Sequence, residues 1–373
     1  MGSHTHGPAE RTHRCTETPT LMHTRISIPP PVSHRTHHCQ SRRLLQRPWR
    51  ADAELTDIIE TLILAKTSIA QRIRNSDVHK SAFNREIKIM DECPVSASSA
   101  ARLVNLSNAK HRFDSVSTPL IRLIALLPAV LSCAYNMFVE RSGQAESRDA
   151  AAFLRYVSGV DGMRRLVLAA LVADAASACV ALLRFYDTES YDAANVCAAI
   201  RTYADKLHCL FTEGRAHKIQ NTYTQRMVRH LGRTRTFIIG RTSITVGSAA
   251  GVPTAVIDAG YASLCAFATL SVATLKAEFP EWETLQSFCA LDLAATTLAP
   301  HERNTALHRL AHVFDLPLNQ LITELEAVLP RARQQRCGNP DSDNLEWRLA
   351  WENKPKREGG WAAVTALLVR AHF

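Results

Sequence analysis

The stretch that decides the fold is RRLVLAALVADAASACVALLRFY, residues 164–186. It is almost long enough to cross a bilayer, but Asp174 lies near its middle, where an aspartate costs about 2.5–3.5 kcal/mol of insertion free energy. Its alanines contribute almost nothing to offset that cost, whereas a buried helix of a bundle explains the same composition. Residues 249–275 are similar and contain Asp258. Both stretches therefore predict helices of a bundle in preference to membrane spans.

The composition of the whole chain agrees with a helical fold. Of its 373 residues, 46% are hydrophobic and only 6% are aromatic, and the abundance of alanine and leucine favours helix over sheet. Short connections near 160–162 and 187–191 favour antiparallel neighbouring helices. The sequence predicts a predominantly α multi-helix bundle, with at most a short β-hairpin near 236–247, within FIIGRTSITVG.

Four regions follow one another along the chain. Residues 1–50 are rich in His, Arg, Pro, Thr and Ser and lack apolar periodicity, so we expect a disordered basic arm. Residues 51–112 are expected to form a helical pair, and residues 113–330 the bundle, which includes a basic segment at 214–241. Residues 331–373 contain three tryptophans and end on an apolar helix, so this C-terminal segment is expected to be cut short.

Two prolines mark the helix that opens the bundle. That helix is expected to begin near Ser117, so Pro119 falls in its first turn, where proline is tolerated. Pro128 falls in the interior of the same apolar run, where it removes a hydrogen bond and kinks the helix.

The motifs indicate neither metal nor catalytic chemistry. None of the ten cysteines is spaced as CxxC, the close pairing that zinc sites need, so reduced, buried thiols are expected. No GxxxxGK[ST], GxGxxG, HExxH or GxSxG motif occurs. Among the acids that could pair as metal ligands, Glu324 and Glu326 point to different helix faces. We expect Asp114, Asp292, Glu324 and Glu326 to be surface or capping residues, and we predict no catalytic residue, metal or cofactor.

Residues 214–241 form the clearest charge cluster, with seven Lys or Arg and no Asp or Glu. Charge runs are more often solvated faces, but a segment without acids can bind phosphates, because counterion release drives the association. Tyr223 and Phe237 are interleaved with the basic residues. The net charge of +9 also suits an anionic partner. The predicted phosphate contacts are Arg112, Arg226, Arg229, Arg233 and Arg235.

Several short motifs, taken in order, resemble a known family. The residues HRFDS, 111–115, follow the expected helical pair and precede the proline-marked helix. They are similar to the T-R-W-x-S motif of the hAT superfamily of DNA transposases, with Phe113 in place of Trp and His111 in place of Thr. In that family the motif opens a helical domain inserted into a ribonuclease-H-like core. Later blocks, at 156–207, 307–329 and 345–369, resemble the paired helices and the segments that follow them.

The resemblance implies DNA as a partner and an intracellular, nuclear location. Family members carry two catalytic aspartates on strands before the motif and a glutamate after the insertion, but no β-branched run ending in Asp precedes Arg112. The family's Cys-x-x-His and Ser-Glu-Arg-x-Phe-Ser elements are also unmatched. We therefore expect a non-catalytic, transposase-derived fragment, largely the helical insertion, whose basic surface contacts DNA or protein.

Two other interpretations stay open, besides an active transposase, which would need the missing aspartates from another chain. A helical interaction protein would use its alanine-rich faces to bind a protein partner or a second copy, and it would have no affinity for DNA. A multi-span membrane protein would use residues 164–186 and 249–275. Recovery of the protein without detergent would exclude this last interpretation.

Overall fold

The computed structural model describes residues 50–90, 117–186, 193–277, 281–291, 298–338 and 362–370. In these ranges the chain is predominantly helical, with a two-stranded antiparallel sheet, which confirms the predicted fold class. The expected arm up to residue 49, Arg112, Asp114, Asp292 and the three C-terminal tryptophans lie outside the described residues.

The helices and strands follow one another along the chain with short connections. The first helices are α1 (Ala53–Ile59, continued by a π-helical turn, Glu60–Leu64), α2 (Ile69–Asn75), α3 (Asp77–Ile89), α4 (Ser117–Ala125), α5 (Leu127–Glu140), α6 (Ala145–Tyr156) and α7 (Gly159–Tyr186). Next come α8 (Ala193–Leu207, continued by a π-helical turn, His208–Thr212), α9 (Tyr223–Leu231), β1 (Arg235–Ile239), β2 (Thr242–Val246) and α10 (Thr254–Ala277). The last are α11 (Trp282–Ser287, with a 3₁₀ turn, Phe288–Leu291), α12 (Pro300–Phe314), α13 (Leu318–Gly338) and α14 (Ala362–Arg370).

The region expected to be a helical pair contains three described helices. The chain leaves the helical conformation at Ala65, whose φ is −59° and ψ 142°. Ser68 then caps α2, because its hydroxyl accepts the Gln71 amide at 3.2 Å and donates to the Ile63 carbonyl at 3.1 Å. Ser76 caps α3 in the same way through the His79 amide. The Ser68 cap thus divides what the apolar periodicity suggested was one helix, and the Ser76 cap lies between the two helices of the expected pair.

The prediction for Pro119 is confirmed, whereas Pro128 begins a second helix and does not kink the interior of one. Pro119 lies in the first turn of α4, and Pro128 lies in the first turn of α5, just after the helix breaks at Leu126. The axes of α4 and α5 differ by 81°. The bend turns one long apolar run into two helices that pack on different neighbours.

Helix α7 is the centre of the larger core. It contacts α1, α4, α6, α8, α9, α10 and β2, and its residues from Leu166 to Ala176 are all buried. A helix surrounded by other helices can be apolar on every side. This packing explains why its sequence lacks the polar face of a surface helix.

A second, smaller core lies between α12, α13 and α14, together with the 3₁₀ turn after α11. Glu324 is buried there with 1% exposure. One of its carboxylate oxygens accepts the Val364 amide in the first turn of α14 at 2.9 Å, and the other accepts the Gln320 side chain at 2.7 Å. Glu324 therefore acts as a capping residue, which is one of the two roles expected for it. Glu326 is exposed on another face of the helix.

Among the described residues, two helices, α7 over Gly159–Leu182 and α10, are long and apolar enough to cross a membrane, and the bent pair α4–α5 would add a third. In the most apolar stretch of α7, 83% of the residues are buried inside the fold, compared with 39% in α10. Packing within the bundle therefore accounts for the apolar surface of α7, whereas α10 keeps one side, made mostly of alanines, that the described residues leave exposed.

Candidate nucleic-acid interface

The predicted basic segment folds as a helix followed by a hairpin. Residues 222–247 comprise the cap of α9, α9 itself and the strands β1 and β2, and we call them the cationic unit. Helix α9 packs on α4 and α7, and β2 also contacts α7. The central helix therefore supports both halves of the unit.

Helix α9 is amphipathic, and its arginines lie on the outer side. Thr224, Met227 and Leu231 are buried, at the spacing that makes one helical face. Arg226 and Arg229 are three residues apart, so they are neighbours on the helix surface. Arg226 is partly exposed and Arg229 is exposed, and no ion pair engages either of them among the described residues.

A buried carboxylate anchors the N-terminus of α9. Asp174, in the middle of α7, accepts the Tyr223 amide at 2.8 Å, the Thr224 amide at 3.0 Å and the Thr224 hydroxyl at 2.6 Å. The first amides of a helix have no partner within the helix, and a carboxylate complements the positive end of the helix dipole. Thr222 adds a cap through the Gln225 amide at 3.1 Å. The orientation of α9 is thus fixed from two sides.

The environment of Asp174 is costly for a charge. Burial raises the pKa of the Asp174 carboxyl above its ordinary value, and the hydrogen bonds from Thr224 and Tyr223 act in the opposite direction. The sequence showed Asp174 only as an unfavourable residue in an apolar helix. A lone acid in such a helix needs a hydrogen-bonding partner, but nothing in the sequence identifies Thr224 as that partner.

The hairpin confirms the predicted β signal. Arg235 pairs with Val246 and Ile239 with Thr242, and the turn has Gly240 at φ +64°, a conformation that glycine adopts without strain. Phe237 and Ile244 are buried on the inner side. Beyond β2, the Ser248 amide donates to the Leu231 carbonyl at 2.7 Å, so the hairpin is tied to the end of α9.

The other predicted phosphate contacts differ in accessibility. Arg233 is exposed. Arg235 is partly buried, and its guanidinium donates to the Pro128 carbonyl at 3.5 Å. Burial, followed by the charge of Arg233, lowers the pKa of Arg235. Arg241, which was not among the predicted contacts, is exposed in the hairpin turn. Arg235 therefore links the hairpin to α5, and Arg241 offers a more accessible cation.

The aromatic residues of the segment belong to the core. Phe237 is buried, and its ring centroid lies 5.3 Å from that of Tyr135. Tyr223 is partly buried against the main core. Their interleaving with the arginines thus reflects packing, and the surface that the unit offers consists of cations.

The described part of the chain contains no group of three or more His, Cys, Asp or Glu that could hold a metal ion. Five cysteines in this part are free thiols, and Cys133, Cys179 and Cys289 are buried. Burial raises the pKa of both Cys133 and Cys179 to about 12, so both thiols are protonated at neutral pH.

Together these observations define an α-helical bundle that carries a supported cationic helix and hairpin. No family model, curated protein or solved structure matches the chain.

Proposed function

We propose that the cationic unit binds the phosphate backbone of nucleic acid, most simply double-stranded DNA. The observation that carries the proposal is the face of α9 opposite its buried side, where Arg226 and Arg229 lie in a segment without a single carboxylate. Arg233 and Arg241 extend the positive surface beyond α9. Arginine suits this role because its planar guanidinium donates two parallel hydrogen bonds to a phosphate.

The support beneath α9 favours binding over a merely solvated charge run. Asp174 and Thr222 fix the first turn, and Ser248 fixes the last turn through Leu231. The arginine stems therefore start from a rigid backbone, which lowers the entropy lost on binding. Contacts of this kind position a protein on a duplex without reading its sequence. We expect affinity that depends strongly on salt and weakly on base sequence.

The test is a salt titration of duplex binding with the full chain. The double variant Arg226→Ala with Arg229→Ala should bind more weakly at every salt concentration. Each lost phosphate contact should reduce the slope of log K against log salt by about 0.9. The matched control is Arg148→Ala with Arg155→Ala, because these two arginines are exposed on α6 and their loss lowers the net charge equally.

The two double variants distinguish binding by the surface of α9 from a general effect of the net charge. A loss of duplex affinity that is confined to the α9 variant supports binding by the cationic unit. Equal loss in both variants, or duplex binding that does not change with salt, would refute the proposal. Circular dichroism on each variant establishes that both retain the native helical content.

We also propose a transposase-derived, non-catalytic ancestry for the chain. The support is the HRFDS motif at 111–115 and the order of the helical blocks behind it. The Phe113 departure, and a sequence before Arg112 that has no β-branched run ending in Asp, argue against retained strand cleavage. Incubation of the protein with supercoiled DNA and Mg²⁺ or Mn²⁺ should therefore give no nicked product. Nicking that copurifies with the protein and requires the metal would refute the non-catalytic half of this proposal.

A further inference from the structure

Helix α10 has one covered side and one open side. Its inner side, which includes Val256, Gly260, Leu264 and Phe267, is buried and packs on α7 and on the turn His208–Thr212. At Gly260 a Cβ atom would lie 2.9 Å from the Leu171 side chain, so the glycine permits a close approach of the two helices. The opposite side is exposed, although the helix is apolar enough to span a membrane.

The open side follows the spacing of a helix-pairing seam. Its residues recur in alternating steps of four and three, and each is exposed or partly exposed: Ala255, Ala259, Ala262, Ala266, Thr269 and Ala273. A seam with this repeat faces one partner helix along its whole length. Small residues on the seam allow the two backbones to approach closely. Leu270 adds an exposed apolar side chain next to the seam.

Two opposite charges make this face complementary to itself. Asp258 and Lys276 are both exposed, and Phe267 lies midway between them along the helix. They are separated by five helical turns, so they share one edge of the face. Asp258 has no ion pair among the described residues, and the Lys276 ammonium lies 5.7 Å from the Trp282 ring centroid. An antiparallel copy turned about Phe267 would bring Asp258 of each chain level with Lys276 of the other.

We infer that the open face of α10 binds α10 of a second copy of this chain, antiparallel, with two equivalent Asp258–Lys276 pairs at the ends of an alanine seam. A lipid surface fits the same face less well. Alanine contributes almost nothing to membrane insertion, so this face offers little apolar surface to lipid. The interface involves no residue of the cationic unit, so its test does not depend on the outcome of the DNA-binding test.

The first test is the association state of the full chain by sedimentation at several protein concentrations. We expect a dimer, and Ala266→Glu should weaken it by at least about 100-fold, because each copy would bury a charge without a partner. Ala152→Glu is the matched control, since Ala152 is an exposed alanine on α6, and this variant should dimerise normally. A native protein that stays monomeric, or a dimer that tolerates Ala266→Glu, would overturn the inference.

The second test is charge exchange. Asp258→Lys and Lys276→Asp should each weaken the dimer by about tenfold, because each single variant places like charges at both ends of the seam. The double variant should recover the native affinity, since the exchanged charges again pair across the two copies. Failure of the double variant to recover would overturn the antiparallel arrangement. A monomer whose binding to phosphatidylcholine vesicles is abolished by Ala266→Glu would assign the face to lipid instead.

Discussion

Replacing Asp174 by alanine tests the support of the cationic unit most directly. In the native protein its two carboxylate oxygens accept two amides and one hydroxyl from Tyr223 and Thr224, at 2.6–3.0 Å. The alanine variant leaves these three donors without an acceptor, at a site where only 5% of Asp174 is exposed. The first turn of α9 then loses its main attachment to α7.

The expected loss of stability is smaller than the sum of three hydrogen bonds. A buried donor left without an acceptor costs about 1–3 kcal/mol. Tyr223 is only partly buried, so water can satisfy part of what is lost there. Removing the carboxylate also removes its own desolvation cost, which is the main reason that the Asp174 pKa is raised. We therefore expect Asp174→Ala to lower the free energy of unfolding by about 3 kcal/mol.

Urea unfolding of the full chain measures this loss, and hydrogen exchange locates it. Amides of α9 should lose protection before those of α7, and duplex affinity should fall although every arginine is retained. Asp205→Ala is the matched control, because Asp205 is exposed on α8 and its loss should change stability by less than about 0.5 kcal/mol. A decrease below about 1 kcal/mol for Asp174→Ala, with α9 protected as in the native protein, would refute the reasoning.

The sign of the pH dependence follows from the raised pKa of Asp174. A folded-state pKa above the ordinary value means that the carboxyl stabilises the fold most when it is protonated. This contribution is complete below the ordinary carboxyl pKa of about 3.9 and is lost as the pH rises through the raised value. The difference in unfolding free energy between the native protein and Asp174→Asn should therefore change in favour of the variant as the pH rises from about 4.

Three further predictions concern other contacts. Gly247→Ala should cost at least about 3 kcal/mol, because a Cβ there, at φ +80°, would clash with the Arg233 carbonyl oxygen and lie 2.8 Å from the Leu231 carbonyl oxygen. Gly240→Ala, at φ +64° with open space, should cost about 1 kcal/mol in thermal unfolding. Glu324→Ala should expose the amides of α14 to hydrogen exchange, since Val364 loses its buried acceptor. Cys133 and Cys179, whose pKa burial raises to about 12, should resist iodoacetamide at about pH 8 until the protein unfolds. Because both values lie above the ordinary thiol pKa, the free energy of unfolding should fall as the pH rises from about 9 toward 12.

Each of these predictions can be refuted by a specific result. Equal costs for the two glycine variants would show that the carbonyls of Arg233 and Leu231 impose no steric limit at Gly247. Unchanged protection of α14 would remove the capping role of Glu324. Rapid alkylation of the folded protein would show that Cys133 or Cys179 is accessible.

The hairpin shows how much local sequence could predict. Alternating apolar residues flank Gly240-Arg241, and both the strands and the turn follow from that pattern. The same alternation places Arg235 on the side of Phe237 and Ile239. The partial burial of Arg235 was therefore implied by its position in the strand, even though its charge suggested a surface contact. Arg241 could have been favoured by the same argument, because turn residues project into solvent.

The anchor of α9 could not be predicted in this way. Asp174 and Thr224 are 50 residues apart in the sequence, and their pairing depends on how α9 packs across α7. Glu324 and Val364 are a second example, 40 residues apart. In both cases a buried acid holds the first turn of a distant helix. Sequence identifies the acid as needing a partner, but only the tertiary fold chooses which helix supplies it.

The two long apolar helices show that an apolar composition alone does not distinguish a helix enclosed by its own fold from a helix with an exposed face. In α7 the apolar residues are enclosed by neighbouring helices, and Asp174 is satisfied by the end of α9, so nothing about its sequence requires a membrane. In α10 the composition is similar, but the described residues enclose fewer of its side chains, and the exposed Asp258 and Lys276 lie along one edge of the open face. An acid in an apolar helix is thus compatible with burial when a helix terminus caps it, and, in the proposed dimer, with an interface where an opposite charge balances it. The charge-exchange variants separate these roles, because exchange can restore an interface between copies but has no counterpart for a cap.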